Sequence, residues 1–181
     1  MSRYWRRNNS QVNTEVRTWK LIWKVKIPLK VACFDWLVVR QARLTHEVLQ
    51  GRGFLDLLKV YSCNREAEVD NHLFLHCKAA TNLWNMFLYI LGVSWVMPKS
   101  TKELLNCWKG IGSRGASEDW WRSIPACVWW TLWKERNSRF FEGKGIKSQK
   151  IRIQCVSLLY FWCKQDMVGD TVHKVDFIGN L

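Results

Sequence analysis

The chain has 181 residues, of which 48% are hydrophobic and 24% charged, so it is long and apolar enough to bury a core and is not a disordered tail. Its 28 Lys and Arg outnumber its 15 Asp and Glu, and the net charge of +13 favours polyanionic partners, with nucleic acid first and an acidic membrane face second. The 13 Trp residues carry too much apolar area to stay solvated, so most of them are expected in a core or against a partner.

The first residues of the chain are polar and strongly basic. Residues 1–15 are predicted to form a loose basic arm, and they lack the apolar stretch of a secretory signal. The seven Cys residues are odd in number and irregularly spaced. Free thiols or metal ligands are therefore predicted rather than disulfides, in a protein that works inside the cell, in the nucleus or the cytoplasm.

Residues 16–95 are predicted to form the first domain. Pro28 interrupts an apolar and basic run, and a helix is predicted to begin near Lys30. The residues of this helix that are expected to face the core are Val31, Phe34, Leu37 and Val38. A shorter helix is predicted from Thr45, a suitable N-cap, through Leu49.

The longest periodic segment runs from Asp70 to Leu91. Apolar residues recur three and four positions apart along it and Gly92 follows, which predicts one continuous helix with a glycine cap. The stretch from Ala79 to Pro98 has no charge. Its polar residues and one-sided apolar pattern nevertheless favour a buried helix over a membrane span.

Residues 96–181 are predicted to form a helical extension rich in Trp. Ser100 and Glu103 have the spacing of a capping box, which predicts a helix to about Lys109. Residues 110–119 are rich in Gly and Ser and are predicted to form a loop.

Two further helices complete the extension. One is predicted from near Ser123 to Gly143 with Pro125 in its first turn, and the other from Gln149 to about Lys164. On the first helix, the side chains expected inside are Trp129, Trp133 and Phe140, and those expected on an exposed face are Lys134, Glu135 and Arg136. The predicted fold class is therefore mostly α.

The stretch from Cys63 to Cys77, CNREAEVDNHLFLHC, has a Cys at each end and two His residues between them, His72 and His76. Zinc prefers four such ligands in a tetrahedron, and the candidates are Cys63, His72 and Cys77. On a regular helix His72 and Cys77 differ by about 140° of rotation, so they reach one ion only where the helix start is distorted. His76 points about 100° away from Cys77 and is a poor partner. The alternative is a core thiol with a helix-capping histidine.

Several motifs in a fixed order resemble a known family. They are WKVKIPLKVACFDW (Trp23–Trp36), LTHEVLQGRG, the Cys63–Cys77 stretch followed by Trp84, and VWWTLWKERNSRFFEG (Val128–Gly143). This order is similar to the zinc-binding domain at the C-terminal end of plant LINE-type (non-LTR) retrotransposon reverse transcriptases, with the segment that follows it. The resemblance covers most of residues 16–145 and implies a small zinc-knuckle-like turn docked on a long helix.

The family's metal pattern is C-x2-C followed by H-x4-C. The three candidate ligands match its last three positions, and Val60 stands where the first Cys belongs. The resemblance therefore implies a partial zinc site whose fourth position is filled by water, by Asp70 or by another thiol such as Cys33. Zinc affinity is expected to fall well below that of a complete structural site.

Nucleic-acid binding is predicted from the N-terminal third, where residues 1–60 hold 12 basic and 4 acidic side chains. The candidate phosphate contacts are Lys24, Lys26, Lys30, Arg40, Arg43 and Arg52. Trp19, Trp23 and Trp36 offer faces for unpaired bases, although Trp23, Phe34 and Trp36 are more often core residues. RNA or single-stranded DNA is the predicted partner, with no membrane. A basic charge that serves solubility alone is the alternative.

Catalysis is not predicted. Polymerase chemistry requires carboxylates that hold two metal ions, and nothing in the sequence resembles the paired aspartates of a polymerase palm. The adjacent Glu118 and Asp119 fit a solvated helix start. The predicted function is a non-catalytic zinc-binding and nucleic-acid-binding module, and the alternative is a detached retroelement remnant without metal that acts at most as a helical interaction module.

Overall fold

A computed structural model describes residues 20–41, 71–108 and 118–165, and no β-strand occurs among them. Residues 20–23 are helical, and the α-helices that lie wholly within these ranges are α1 (Leu29–Val39), α2 (Lys78–Ile90), α3 (Thr101–Trp108), α4 (Glu118–Glu142) and α5 (Ser148–Gln165). A wide helical turn, His72–His76, precedes α2. The prediction of a mostly α fold is confirmed. The predicted turn at Cys63 and the short helix from Thr45 lie outside the described residues.

Helix α1 begins directly after Pro28, as predicted. Proline at a helix start has a suitable φ, here −54°, and it is tolerated because no intrahelical donor is needed there. The core-facing residues of α1 are Val31, Ala32, Phe34, Asp35 and Val38. Leu37 is only half-buried, because it lies to one side of the stripe that these residues form.

Helix α2 ends with the predicted glycine cap. Gly92 has a φ of +63°, a conformation that costs glycine little. The amide of Gly92 donates to Tyr89 at 3.1 Å and the amide of Val93 donates to Leu88 at 2.9 Å, which satisfies two of the last carbonyls of the helix. Within the described ranges, no helix combines the length and the apolar character that crossing a bilayer requires.

Helix α3 begins with the predicted capping box. Ser100 Oγ accepts a hydrogen bond from the amide of Glu103 at 3.2 Å. The Glu103 carboxylate reaches back and accepts from the amide of Lys99 at 3.1 Å. These two bonds satisfy amides that the first turn of a helix leaves open.

Helix α4 begins at Glu118, five residues before the predicted start, and this places Pro125 inside the helix instead of in its first turn. A proline has no amide hydrogen, so the carbonyl four residues earlier, that of Trp121, loses its usual partner. The indole Nε1 of Trp108 donates to that carbonyl at 3.0 Å. A donor from α3 thus replaces the one that Pro125 lacks, and this tertiary contact lets the helix continue.

Helix α4 is the centre of the structure, because it packs against α1, α2, α5 and the wide turn. The predicted exposed face on α4 is wrong for two of its three residues: Lys134 is exposed, whereas Glu135 and Arg136 are 7% and 2% exposed. A helix with neighbours on several sides has little free surface for a polar face. Trp129 is fully buried as expected, Trp133 is half-buried, and the side chain of Phe140 lies outside the described part.

One hydrophobic cluster runs through all five helices, from Val31 and Phe34 on α1 to Ile151 and Trp162 on α5. Helix α5 buries Ile151, Cys155, Leu159 and Trp162 at the predicted spacing, and Leu158 is half-buried. The core therefore crosses residue 95, where the sequence predicts a boundary between domain and extension. The predicted boundary itself stays a prediction.

Candidate metal centre and basic surface

The wide turn His72–His76 interrupts the helix that the sequence predicts from Asp70 to Leu91. The amide of Cys77 donates to the carbonyl of His72 at 2.7 Å, a bond that spans five residues instead of four. Cys77 is extended, with a ψ of 156°, and α2 starts at the next residue. The prediction of one continuous helix is therefore wrong, because an extended residue cannot continue the α-helical hydrogen bonds.

Cys77 caps the N-terminus of α2. Its Sγ accepts a hydrogen bond from the amide of Ala80 at 3.4 Å and donates to the carbonyl of Leu73 at 3.3 Å, and the residue is 1% exposed. A metal ligand is a thiolate, which still accepts from an amide but has no proton to donate. The bond to Ala80 therefore suits a zinc-bound sulfur, whereas the bond to Leu73 requires a protonated thiol.

The wide turn also provides the distortion that a shared ion requires of His72 and Cys77. On a regular helix two residues five apart point in different directions, but here the hydrogen bond between them closes one turn. His72 is half-buried, at the start of this turn. Cys63 and Asp70 lie outside the described residues, so the three-ligand assignment stays a prediction.

Residues 20–41, 71–108 and 118–165 do not make a zinc site by themselves. Within them, no three His, Cys, Asp or Glu side chains gather closely enough to hold an ion. Cys33 is exposed on α1, so it does not complete a set with His72 and Cys77. His76 is exposed, and its Nε2 lies 3.5 Å from the carbonyl of Lys99. A complete ligand set would need residues outside the described part of the chain.

Two further thiols meet in the core between α4 and α5. The Sγ atoms of Cys127 and Cys155 are 3.7 Å apart, and Cys127 donates to the carbonyl of Cys155 at 3.1 Å. The hydrogen bond with Cys155, together with burial, raises the pKa of the Cys127 thiol. Burial and this hydrogen bond therefore favour the protonated form of the Cys127 thiol in the core. No disulfide joins the six cysteines of the described ranges to one another.

Four of the six predicted phosphate contacts lie in the described ranges, and all four are exposed: Lys24, Lys26, Lys30 and Arg40. Arg43 and Arg52 lie outside those ranges. Two of the exposed cations sit above indole rings. Lys30 Nζ is 5.3 Å from the ring centre of Trp130, and Arg40 Cζ is 4.8 Å from that of Trp36.

The aromatic residues near these cations divide into two groups. Phe34 is 5% exposed, and its ring meets the ring of Phe74 edge-on with 6.0 Å between their centres, so it is a core residue. Trp23 and Trp36 are half-buried. These two indoles therefore keep part of their surface at the solvent boundary, and Trp19 lies outside the described residues.

A cleft of about 470 Å³, here called the basic cleft, opens beside α1, α3 and α4. Residues from several segments line it: Lys20, Leu21, Ile22, Lys24, Val25, Asp35, Leu105, Asn106, Trp108, Arg122, Pro125 and Ala126. Among the predicted site residues that the structure describes, Lys24 is the one that lies in this lining. Sequence reasoning missed the cleft because its walls meet only when α3 and α4 fold against the segment before α1.

The N-terminal part of the chain is similar to a known protein family. Residues 1–84 match the model of a family described as zinc-binding in reverse transcriptase. This part of the chain is therefore similar to the reverse transcriptase zinc-binding family. The match confirms the predicted resemblance to the zinc-binding domain of reverse transcriptases. Its range includes the predicted arm and most of the predicted first domain. It ends within α2, at Trp84, so α3, α4 and α5 lie beyond the matched reverse transcriptase zinc-binding region.

A longer protein is similar to most of the chain. The chain is 30% identical over 127 residues to a putative ribonuclease H protein of Arabidopsis thaliana. The match covers 70% of this chain but only 20% of the relative, so the chain corresponds to a small part of that protein. No solved structure matches the chain significantly.

Proposed function

We propose that this chain is a non-catalytic module of a retrotransposon-type reverse transcriptase protein that binds RNA or single-stranded DNA and holds zinc in an incomplete site, inside the cell. The observation that carries the binding proposal is the exposure of all four described cations of the predicted set, in a chain with a net charge of +13. Lys and Arg at a solvent-facing surface neutralise phosphates, and half-buried indoles nearby offer stacking faces.

The absence of catalysis is part of the proposal. The family description names zinc binding, and the ribonuclease H name belongs to a relative of which this chain spans one fifth. Nucleic-acid hydrolysis by metal ions needs converging carboxylates, and the sequence offers no such motif.

Strong dependence on salt is the expected signature of this binding. With four phosphate contacts to a single strand, the logarithm of affinity should fall with the logarithm of salt with a slope of about −3, which is roughly a 50-fold loss between 50 and 200 mM. Fluorescence anisotropy with a labelled single-stranded RNA measures it. The double variant Lys24→Ala and Lys26→Ala should flatten the slope by about 1.4. The matched control, Lys147→Ala with Lys150→Ala at the start of α5, should leave it unchanged. A flat salt response of the native chain contradicts the proposal.

The zinc proposal rests on the wide turn, which gives His72 and Cys77 the distortion that a shared ion needs, and on Cys63, which matches the family pattern. Zinc content by mass spectrometry should fall to background in Cys77→Ala and stay unchanged in Cys107→Ala, whose thiol is exposed on α3. Restoring the first cysteine of the pattern with Val60→Cys should tighten zinc binding at least about tenfold, because a fourth ligand completes the tetrahedron. An unchanged affinity would show that the three-ligand assignment is wrong.

A second candidate follows from Val60, which replaces a ligand of the family pattern. In this case the chain is a detached remnant that binds no metal and acts at most as a helical interaction module. Metal-free protein whose thermal unfolding does not change in chelator would support the remnant over the zinc module.

A further inference from the structure

The basic cleft is built like a site for a small anionic ligand. Its volume of about 470 Å³ lies within the range of small-molecule pockets, which combine an apolar lining with a few converging polar groups. We propose that the cleft binds one nucleotide unit of a single-stranded nucleic acid, with the phosphate at its rim and the base against its floor. This inference rests on the proposed nucleic-acid binding and assigns it a pocket.

The rim of the cleft supplies positive charge from two separate elements. Lys20 and Lys24 are exposed in the segment before α1, and Arg122 lies on α4. Lysine binds phosphate as a compact point charge, and a guanidinium offers paired donors to phosphate oxygens. Because these cations line one cleft from two elements, they favour an anion bound in the cleft over a diffuse attraction.

The floor of the cleft is apolar and buried. Ile22, Trp108 and Ala126 are 3%, 4% and 3% exposed, and Pro125 is fully buried beside them. A flat base displaces water from such a surface favourably.

One carboxylate, that of Asp35, belongs to the same lining and is 3% exposed. A carboxylate repels phosphate but accepts hydrogen bonds from base amino groups. The change from exposed lysines to buried apolar residues along the described lining therefore follows the polarity of a nucleotide, from phosphate to base.

A charge placed at the rim tests the site. Asn106 is exposed on α3 and lines the cleft, and Asn85 is exposed on α2 and does not line it. Asn106→Glu and Asn85→Glu change the net charge equally at exposed helical positions. Anisotropy with a labelled 12-nucleotide single strand should show at least a fivefold loss of affinity for Asn106→Glu and less than a twofold loss for Asn85→Glu. Far-ultraviolet circular dichroism confirms that both variants fold.

Removing the bases tests whether the floor holds a base. An abasic strand of the same length keeps every phosphate, so binding by charge alone would not change. The abasic strand should bind at least fivefold more weakly, and the effect of Asn106→Glu relative to Asn85→Glu should shrink on it. Two unlabelled competitors are then added to the complex with the labelled strand. If cytidine monophosphate displaces the labelled strand at submillimolar concentration, the pocket also accepts free nucleotides. If only the unlabelled strand displaces it, the pocket requires the polymer.

The outcomes separate this inference from the function on which it rests. If the strand binds but the two glutamate variants bind alike, or the abasic strand binds as tightly, the cleft is not the site while the proposed function stands. If the native chain binds no strand at all, both are overturned.

Discussion

Replacing Trp108 with Ala should destabilise the protein by about 3–5 kcal/mol, measured by urea denaturation. Trp108 is 4% exposed, and its ring stacks on Trp121 with 4.2 Å between centres and meets those of Trp84 and Trp95 at 5.4 and 5.1 Å. The change removes this packing and also the donor to the Trp121 carbonyl, which Pro125 leaves without its helical partner.

Two controls separate the ring from its hydrogen bond. Trp108→Phe keeps an aromatic ring and loses the donor, and should cost about 1–3 kcal/mol. In a Pro125→Ala background the helix regains an amide for the Trp121 carbonyl, so Trp108→Phe should cost less there, which a double-mutant cycle measures. Equal costs in both backgrounds would refute the replacement of the missing donor. Tyr89→Ala, at an 88% exposed aromatic residue, should change stability by less than about 0.5 kcal/mol.

Glu135→Ala should cost about 2–3 kcal/mol in the same measurement. The Glu135 carboxylate is 6% exposed and accepts from Arg139 Nε and, at 3.1 Å, from the amide of Ile146. It therefore ties the end of α4 to the connection that leads into α5. Removing it leaves the part-buried Ile146 amide and Arg139 Nε without their acceptor. Arg139 recovers part of the loss, because it is 29% exposed and its Nη2 still donates to the Ile146 carbonyl at 3.3 Å.

The matched control is another glutamate of the same helix. Glu142 pairs with Lys144 at 3.7 Å, and both side chains are mostly exposed, so Glu142→Ala should cost less than about 0.5 kcal/mol. Amide hydrogen exchange adds a local measurement: the Ile146 amide should exchange faster in Glu135→Ala and not in Glu142→Ala. Equal stability losses in the two variants would mean that burial of Glu135 contributes nothing.

Local rules predicted the ends of several helices and part of the core. Three helix ends depend on residues close to them in the sequence: Pro28 before α1, Ser100 and Glu103 at the start of α3, and Gly92 after α2. Because each acts within a few residues, the sequence alone predicts them. The same holds for buried residues at helical spacing on α5. The similarity of residues 1–84 to the reverse transcriptase zinc-binding family also follows from local motifs, which can be read without a structure.

Contacts between distant segments decided the rest. Pro125 predicts a helix start by local rules, but an indole from α3 replaces its missing donor and lets α4 begin earlier. Glu135 and Arg136 look like a solvated face until the neighbours of α4 cover them. The extended Cys77, whose thiol caps α2, breaks a helix that its apolar spacing predicts.

The sequence by itself determined the helical class, the basic charge and the family resemblance of residues 1–84, because composition, periodicity and motif order are properties of neighbouring residues. The tertiary structure alone decided where α4 begins, which polar residues of α4 are buried and where a cleft opens. Each of these depends on whether a partner from elsewhere in the chain satisfies a polar group or covers a surface, and no local pattern encodes that.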